Sequence, residues 1–272
     1  MKKVISLILV YLLLSGFANH GMLKSVIARK NVAAGTTNYT QDANCMGAYF
    51  MNSSTTETDR SVGGSQDLVV ASSPNSIPTS ATVPAGYSGT SRDFEDDDTE
   101  RLEVEDGGTL DINGAGQPIT VAAWMRLETD NGVDASVFSK ANQYRLYFDT
   151  GNNAIQFTVN YNGSSATTAI GATTINTGTW YHIAGTHDGS QLRVYVNGSE
   201  DTNGGDNPKN EAGDGINDSS TGPAIGTLGR GSTSFPFDGL LDEEIVFDRA
   251  LSEAEIADIM ANGIDGSKGG ND

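Results

Sequence analysis

Residues that could bind a sugar alternate with apolar residues along three segments, 144–148, 154–161 and 192–196. Side chains on a strand point alternately to the two faces of its sheet. The apolar set, which we expect to face a core, is Leu146, Phe157, Val159, Val194 and Val196. The opposite face would carry flat aromatic rings for sugar faces and forked donors for hydroxyls or carboxylates. These candidate ligand-binding residues are Arg145, Tyr147, Gln156, Thr158, Asn160, Arg193 and Tyr195. An ordinary solvated sheet with cross-strand Tyr and Arg pairs explains the same pattern, and both interpretations stay open.

Carboxylates suited to acid and nucleophile roles are not evident. A retaining glycoside hydrolase needs two carboxyl groups about 5 Å apart. The nearest groupings are Glu103-Val104-Glu105 and Asp242-Glu243-Glu244, which exposed strand-edge charge explains better. His182 and His187 have no convincing serine or cysteine partner, so the sequence does not predict a catalytic triad.

The elements that would position these residues are strands. In the stretch 179–198, two alternating runs flank Asp188-Gly189 and end on Asn197-Gly198, which predicts a β-hairpin. Further strands are predicted without helices between them, which favours antiparallel pairing in two packed sheets. Their ranges are 45–51, 101–104, 119–127, 136–139, 144–148, 154–161, 167–175, 180–186, 192–196, 224–228 and 237–247. Ser252 and Glu255 form a capping box that predicts one short C-terminal helix, with Gly263 at its end.

The composition sets limits on the partners. The chain has 272 residues and a formal net charge of -19, so we do not expect nucleic-acid binding, which needs a basic footprint. Cys45 is the single cysteine and cannot form an internal disulfide. Four regions are predicted: a signal peptide (1–18), a polar arm or linker (19–42), one all-β domain (43–264) and a disordered tail (265–272). An uncleaved membrane anchor is the alternative for 1–18, and translation from Met22 would remove the export argument.

Four blocks of this sequence resemble the laminin G-like jelly rolls of the concanavalin A-like lectin/glucanase superfamily. The resemblance covers about residues 45–263, and the closing block with its Asp-Gly-x-x-Asp-Glu pattern is the most specific. The blocks are Phe94 with Asp96-Asp97-Asp98 and Leu102, the segment 119–125 ending near Trp124, the hairpin, and the segment 237–252. The resemblance implies an all-β, two-sheet antiparallel β-sandwich.

The resemblance also implies a binding role, because members mostly bind and seldom catalyse, and the glycanase Glu-x-Asp-x-x-Glu signature is missing here. It assigns His182 and His187 to framework positions, and we place Trp124 and Trp180 in the core. By matched position it implies a structural calcium ion near Asp59 and Asp242, although local hydrogen bonds would explain Asp242 equally well. A second loop site at Asp214, Asn217 and Asp218 lacks the full EF-hand spacing.

We therefore expect a secreted or cell-surface, non-catalytic module that recognises a carbohydrate or surface polymer with the help of calcium. A structural or assembly subunit of a virion or extracellular filament is the alternative, in which the polar arm 19–42 would mediate self-association. A glycoside hydrolase is the third hypothesis. Membrane contact is expected only through the signal segment.

Overall fold

A computed structural model describes residues 36–63, 66–71, 76–96, 100–160, 166–211 and 215–268. The predicted signal peptide, residues 19–35 of the arm and residues 269–272 of the tail lie outside these ranges. The described residues from Thr37 onward form one compact unit. Within the described ranges, no helix has the length and apolar character needed to cross a membrane.

The described part of the chain contains seventeen strands and one α-helix, which confirms the predicted all-β class. The helix is α1 (Glu253–Asn262), and short 3-10 turns lie at Tyr39–Gln41 and Gly108–Leu110. The strands are β1 (Cys45–Tyr49), β2 (Thr56–Glu57), β3 (Leu68–Val70), β4 (Thr79–Ser80), β5 (Ser91–Phe94), β6 (Leu102–Glu103), β7 (Ile119–Leu127), β8 (Ala135–Lys140), β9 (Tyr144–Asp149), β10 (Ala154–Val159), β11 (Thr167–Ile170), β12 (Tyr181–His187), β13 (Gln191–Val196), β14 (Ser199–Glu200), β15 (Lys209–Asn210), β16 (Pro223–Ile225) and β17 (Gly239–Phe247).

The strands form two antiparallel sheets. One has nine strands in the order β14-β13-β12-β7-β17-β5-β4, with β1 paired to β17 and β15 paired to β13. The other has eight strands in the order β11-β10-β9-β8-β16-β6-β3-β2. The order is not sequential, because β17 at the end of the chain inserts between β7 and β5. The short strands β2 to β5, β14 and β15 were not predicted, since two to four residues are too few to show alternation.

The predicted hairpin is present as β12 and β13, in antiparallel register from Ile183↔Val196 to His187↔Leu192. The Asp188 carboxylate accepts the backbone N–H groups of Ser190 and Gln191, each at 2.9 Å, and so holds the turn. Gly189 lies at φ +92°, a conformation that glycine adopts without a Cβ penalty.

The main core lies between the two sheets. All five residues predicted to face it are there: Leu146, Phe157, Val159, Val194 and Val196. Their exposed fraction is at most 7%. The alternation read from the sequence is therefore confirmed, and the inward half of each strand supplies the hydrophobic free energy of the sandwich.

A second apolar cluster covers the outer side of the nine-stranded sheet. Ile256 and Ile259 of α1 pack there on Ile245 and Ala122, together with Tyr39. The predicted capping box is present, since Ser252 and Glu255 each accept the other's backbone N–H. Residues 37–42 belong to this compact unit, because the Tyr39 N–H donates to the carbonyl of Ile264 at 2.8 Å.

Neither tryptophan belongs to a core cluster, so their predicted placement was wrong. Trp124 is half-buried on the outer side of β7, where its ring contacts Tyr87 and His182 edge-on. Trp180 is half-buried just before β12. In β7 the inward positions belong to Val121, Ala123 and Met125, and Trp124 has the opposite parity.

We predict that Gly185→Ala destabilises the fold. A Cβ at Gly185 would overlap the ring of Phe157 from the facing sheet. Overpacking of this kind costs about 1–3 kcal/mol. Urea unfolding should show this loss, and Phe157→Leu in the same chain should recover part of it as a coupling free energy.

Gly204→Ala is the matched control, because nothing lies within 4 Å of a Cβ at that exposed position. Equal effects of the two glycine substitutions would contradict the close approach of the sheets at Gly185.

Candidate functional site

The outer side of the eight-stranded sheet brings four of the predicted ligand-binding residues together. Arg145 lies opposite Thr158 in the register of β9 and β10, and Tyr147 lies opposite Gln156. Residues directly opposite in an antiparallel pair point to the same face. The four side chains therefore form one patch, which we call the Arg145 patch.

Arg145 is held in a stack of aromatic rings. Its guanidinium carbon lies 3.4 Å from the centroid of the Tyr147 ring and 4.5 Å from that of the Phe235 ring. Its Nη2 donates to Asp134 Oδ2 at 3.1 Å. Only 13% of the Arg145 side chain is exposed, and these contacts restrict its conformation.

The remaining polar groups of the patch are linked by hydrogen bonds. The Tyr147 hydroxyl donates to Gln156 Oε1. The Thr158 hydroxyl is 2.8 Å from the Thr168 hydroxyl on β11. Tyr147 and Gln156 are each less than one-tenth exposed, whereas Thr158 and Thr168 are half-buried. A ligand would meet the threonine hydroxyls and the arginine edge first.

Two carboxylates lie where β8 begins and β9 ends, Asp134 and Asp149, and the first of them pairs with the arginine. Burial, followed by the negative charge of Asp149, raises the pKa of Asp134 above its ordinary value, and Arg145 opposes this rise. The Asp134 and Asp149 side chains also share a hydrogen bond. This edge of the Arg145 patch therefore offers carboxylate oxygens that could accept ligand hydroxyl groups.

Phe235 is a member of the patch that the sequence reasoning missed. It is half-buried in the loop between β16 and β17, and its carbonyl accepts the Ser136 N–H at 3.0 Å. Its φ is +58°, in the left-handed region that a bulky residue rarely adopts. The sequence signal was an aromatic residue between Ser234 and Pro236, where a loop would ordinarily have no large apolar side chain.

Arg193 and Tyr195 lie on the other sheet, so the predicted face is split. Both are on β13, whose outer side is the outer side of the nine-stranded sheet. Tyr195 is buried among the residues that pack with α1. Arg193 pairs with Asp188 at 2.7 Å and lies 3.6 Å from Glu200. Alternation distinguishes inward from outward residues, but it does not tell which of two sheets a strand joins.

The predicted calcium residues, Asp59 and Asp242, have different surroundings. Asp59 accepts backbone N–H groups of Ala48 and Ser61 with Oδ1, at 3.1 and 2.9 Å. Asp242 is 2% exposed, and burial followed by the charge of Glu243 raises its pKa well above the ordinary value. No group of three or more His, Cys, Asp or Glu that could hold a metal ion occurs in the described ranges.

For the loop alternative, Asp214 lies outside the described residues, so this set is only partly described. Asn217 donates to the carbonyl of Asn142, and Asp218 accepts from Asn113. Nearby, the fully buried Lys140 ammonium lies 3.1 Å from Asp111 and donates to the carbonyl of Ser219 at 2.6 Å. This buried cation was not predicted.

The histidines and the paired acids take structural positions. His187 lies between Glu211 and the carbonyl of Gln117, at 2.9 and 3.0 Å. His182 is fully buried, and burial lowers its pKa to about 3. Glu103 pairs with Arg101, and Glu105 pairs with Arg230.

Glu244 is an interior carboxyl group. It lies opposite Tyr49 in the register of β17 and β1, and the Tyr49 side chain belongs to the main core. Neither carboxyl oxygen of Glu244 has a hydrogen-bond partner among the described residues. Burial, and then the charge of Glu57, raises its pKa well above the ordinary value. Glu57 itself pairs with the buried Arg92 at 2.6 Å.

The two-sheet sandwich and its closing strand agree with one family. The family model for the concanavalin A-like lectin/glucanases superfamily (Laminin_G_3) matches residues 96–257, more than half of the chain. The chain belongs to this superfamily. No curated protein is significantly similar to it in sequence.

Solved structures share the fold at low sequence identity. The binding domain of botulinum neurotoxin serotype G has a TM-score of 0.58 at 13% identity, over 80% of this chain and 51% of that one. A second structure is of botulinum neurotoxin type C, whose cell entry depends on interaction with two ganglioside molecules. Its TM-score is 0.59 at 13% identity, over 82% of this chain and 52% of that one. This chain thus spans about half the length of these toxin chains.

A third structure is matched almost over its whole length. It is domain 4 of AbnA, an extracellular arabinanase from Geobacillus stearothermophilus, in complex with arabinotriose. The TM-score is 0.57 at 18% identity, over 80% of this chain and 98% of that domain. At these identities the likeness establishes the fold.

We predict that Glu244→Gln changes how stability depends on pH. The folded protein keeps the Glu244 carboxyl protonated above pH 4.5, the ordinary glutamate value, whereas the unfolded chain releases that proton. The native state then binds more protons, so the Glu244 contribution lowers the free energy of unfolding as pH rises. The difference between variant and parent should grow above pH 4.5 by as much as about 1.4 kcal/mol per pH unit.

The variant must be compared with the parent protein because His182 changes stability with pH in the opposite direction. Its pKa of about 3 means that the unfolded chain binds a proton first below pH 6.5, which lowers stability as pH falls. Urea unfolding of the parent and of Glu244→Gln from pH 5 to 8 measures how the stability of each depends on pH, with Glu105→Gln as the exposed control. Parallel pH curves for parent and Glu244→Gln would show that Glu244 is ionised in the fold.

Proposed function

We propose that this protein is a non-catalytic module that binds a carbohydrate or a sugar-containing surface polymer through the Arg145 patch. The observation that carries the proposal is the Arg145 stack, in which one guanidinium is held between two aromatic rings on an outward sheet surface. Beside it are hydroxyl groups of Thr158 and Thr168. Sugar recognition uses this combination of apolar rings and oriented polar groups.

Rigidity favours binding at this patch. The Asp134 ion pair and the two rings already restrict the arginine side chain, which otherwise loses about 2 kcal/mol of rotamer entropy when it is immobilised. Preorganisation of this kind leaves more of the contact energy for affinity. A solvated sheet without function would not need a strained Phe235 over the same guanidinium.

The placement of the carboxylates supports a non-catalytic role. Glu103 and Glu105 belong to the eight-stranded sheet region and pair with arginines. Asp242 and Glu244 belong to β17 of the other sheet, where both are buried. A glycoside hydrolase needs its two carboxyl groups on the two sides of one bond, in contact with substrate.

The proposal includes export to the cell exterior or surface, where a glycan partner would be met. It draws on the predicted signal segment 1–18 and on the acidic charge of the chain. The AbnA domain with arabinotriose and the ganglioside-dependent neurotoxin share this fold. For this chain, the support for sugar binding is the Arg145 patch.

We predict that Arg145→Ala weakens glycan binding at least about tenfold, about 1.4 kcal/mol, because it removes the donors and opens the aromatic stack. Calorimetric titration with arabinotriose and with a panel of other oligosaccharides measures the dissociation constants. Arg193→Ala is the matched control, since that arginine lies on the opposite sheet and should leave binding unchanged.

Loss of binding in Arg193→Ala with normal binding in Arg145→Ala would move the site to the nine-stranded sheet. Absence of binding to every glycan by the parent protein would contradict the proposal.

We also propose that calcium assists the fold at Asp59 and Asp242, as the family resemblance implies. The buried carboxyl of Asp242 would then be held ionised by the metal, which stabilises the native state by mass action. The melting temperature should rise when about 5 mM calcium replaces EGTA, because this concentration saturates calcium sites of the extracellular type. Asp242→Asn should remove this rise. Equal melting temperatures in calcium and EGTA would contradict a calcium site.

A further inference from the structure

We infer that the Arg145 patch selects uncharged sugars, with Phe235 as the ring on which the sugar stacks. This inference rests on the proposed function and adds the class of ligand and the residue that contacts its ring face.

The conformation of Phe235 is costly. At φ +58° the Cβ of a bulky residue crowds its own backbone, and the following Pro236 further disfavours helical conformations at this position. Such a conformation persists only where the surrounding structure imposes it. The Ser136 N–H donates to its carbonyl at 3.0 Å and ties the residue to β8.

The result of this conformation is an aromatic ring at the surface beside Arg145. The guanidinium carbon lies 4.5 Å from the Phe235 centroid, and the residue stays half-buried rather than sealed in the core. Tyr147, on the other hand, is 6% exposed, and its hydroxyl is engaged by Gln156. Phe235 is therefore the ring of this stack that can offer apolar surface to a sugar.

The charge beside the stack is negative. The single arginine pairs with Asp134, and Asp149 shares a hydrogen bond with that same carboxyl. Asp130 lies at the same end of the sheet, where it accepts from the Thr150 hydroxyl at 2.9 Å. One guanidinium thus pairs with one of three carboxyl groups at this end of the sheet, and the whole chain has a net charge of -19.

Anionic sugars such as sialic or uronic acids would meet repulsion at this edge, because the guanidinium that could pair with them is already paired. Hydroxyl groups of a neutral sugar can donate to the same carboxylates, and their ring faces can stack on Phe235. The Arg145 patch therefore fits a neutral oligosaccharide.

The specificity test compares neutral glycans with related glycans that carry carboxylate groups. Lactose against 3′-sialyllactose, and galactotriose against trigalacturonic acid, are titrated at low and at high salt. We expect at least tenfold tighter binding of the neutral member of whichever pair binds, with a smaller gap at high salt. Equal or tighter binding of the acidic member would overturn the charge argument.

The test of Phe235 uses two substitutions. Phe235→Ala should weaken neutral-glycan binding at least tenfold, whereas Val69→Ala, an exposed side chain on the same sheet, should not. Phe235→Gly should lose binding but keep or raise the melting temperature, since glycine adopts φ +58° without strain. A merely structural phenylalanine would instead lower the melting temperature in both variants.

The two levels of the hypothesis fail in different ways. If the parent protein binds no glycan, or if Arg145→Ala binds normally, the proposed function fails. If the parent binds and Arg145→Ala does not, but Phe235→Ala binds as the parent does, only the role of Phe235 is overturned.

Discussion

Strand β17 is the constraint on which the architecture depends. It pairs with β7, β5 and β1, and every one of its nine residues is buried. Its inner side faces the sandwich core, and its outer side lies under α1 and the residues that pack with it. A strand buried on both faces must also bury its polar residues, and this one contains Asp242, Glu243 and Glu244 in a row.

The protein accommodates these acids in different ways. A bulge between Asp242 and Ile245 places Glu243 at φ +50°, where its Oε2 accepts the Ile264 N–H at 2.7 Å and ties the strand to the segment after the helix. Burial instead raises the pKa of Asp242 and of Glu244 well above the ordinary values, because an ionised carboxylate is costly in a medium of low polarity. The closing strand thus contributes both hydrophobic stabilisation and a dependence of stability on pH.

The Arg145 patch shows the opposite use of charge. There the arginine forms an ion pair with Asp134, and both side chains remain partly accessible because the patch lies on the outer side of the eight-stranded sheet, away from α1. Aromatic rings restrict the guanidinium without removing it from solvent completely. Function in this fold is therefore expected where a sheet face lacks the covering helix, while the covered face of the nine-stranded sheet serves stability.

Local pattern was enough to predict the class, the inward residues, the hairpin and the capped helix. Each depends on neighbours within a few residues: the period of two places Leu146 and Phe157 inward, Asp188-Gly189 makes the turn, and Ser252 and Glu255 cap the helix. The same period of two predicted the outward residues of the Arg145 patch, two on β9 and two on β10. These features need no long-range contact to be specified.

Only the tertiary structure decided which surfaces these residues share. It separated Arg193 and Tyr195 from Arg145 by assigning β13 and β9 to different sheets, and it placed Trp124 outside the core. It also brought Phe235 onto Arg145, ninety positions earlier in the chain, and Arg92 onto Glu57. Alternation specifies the side of a strand to which a residue points, whereas the partner across that side is set by sheet order and loop closure, which depend on the packing of the whole chain.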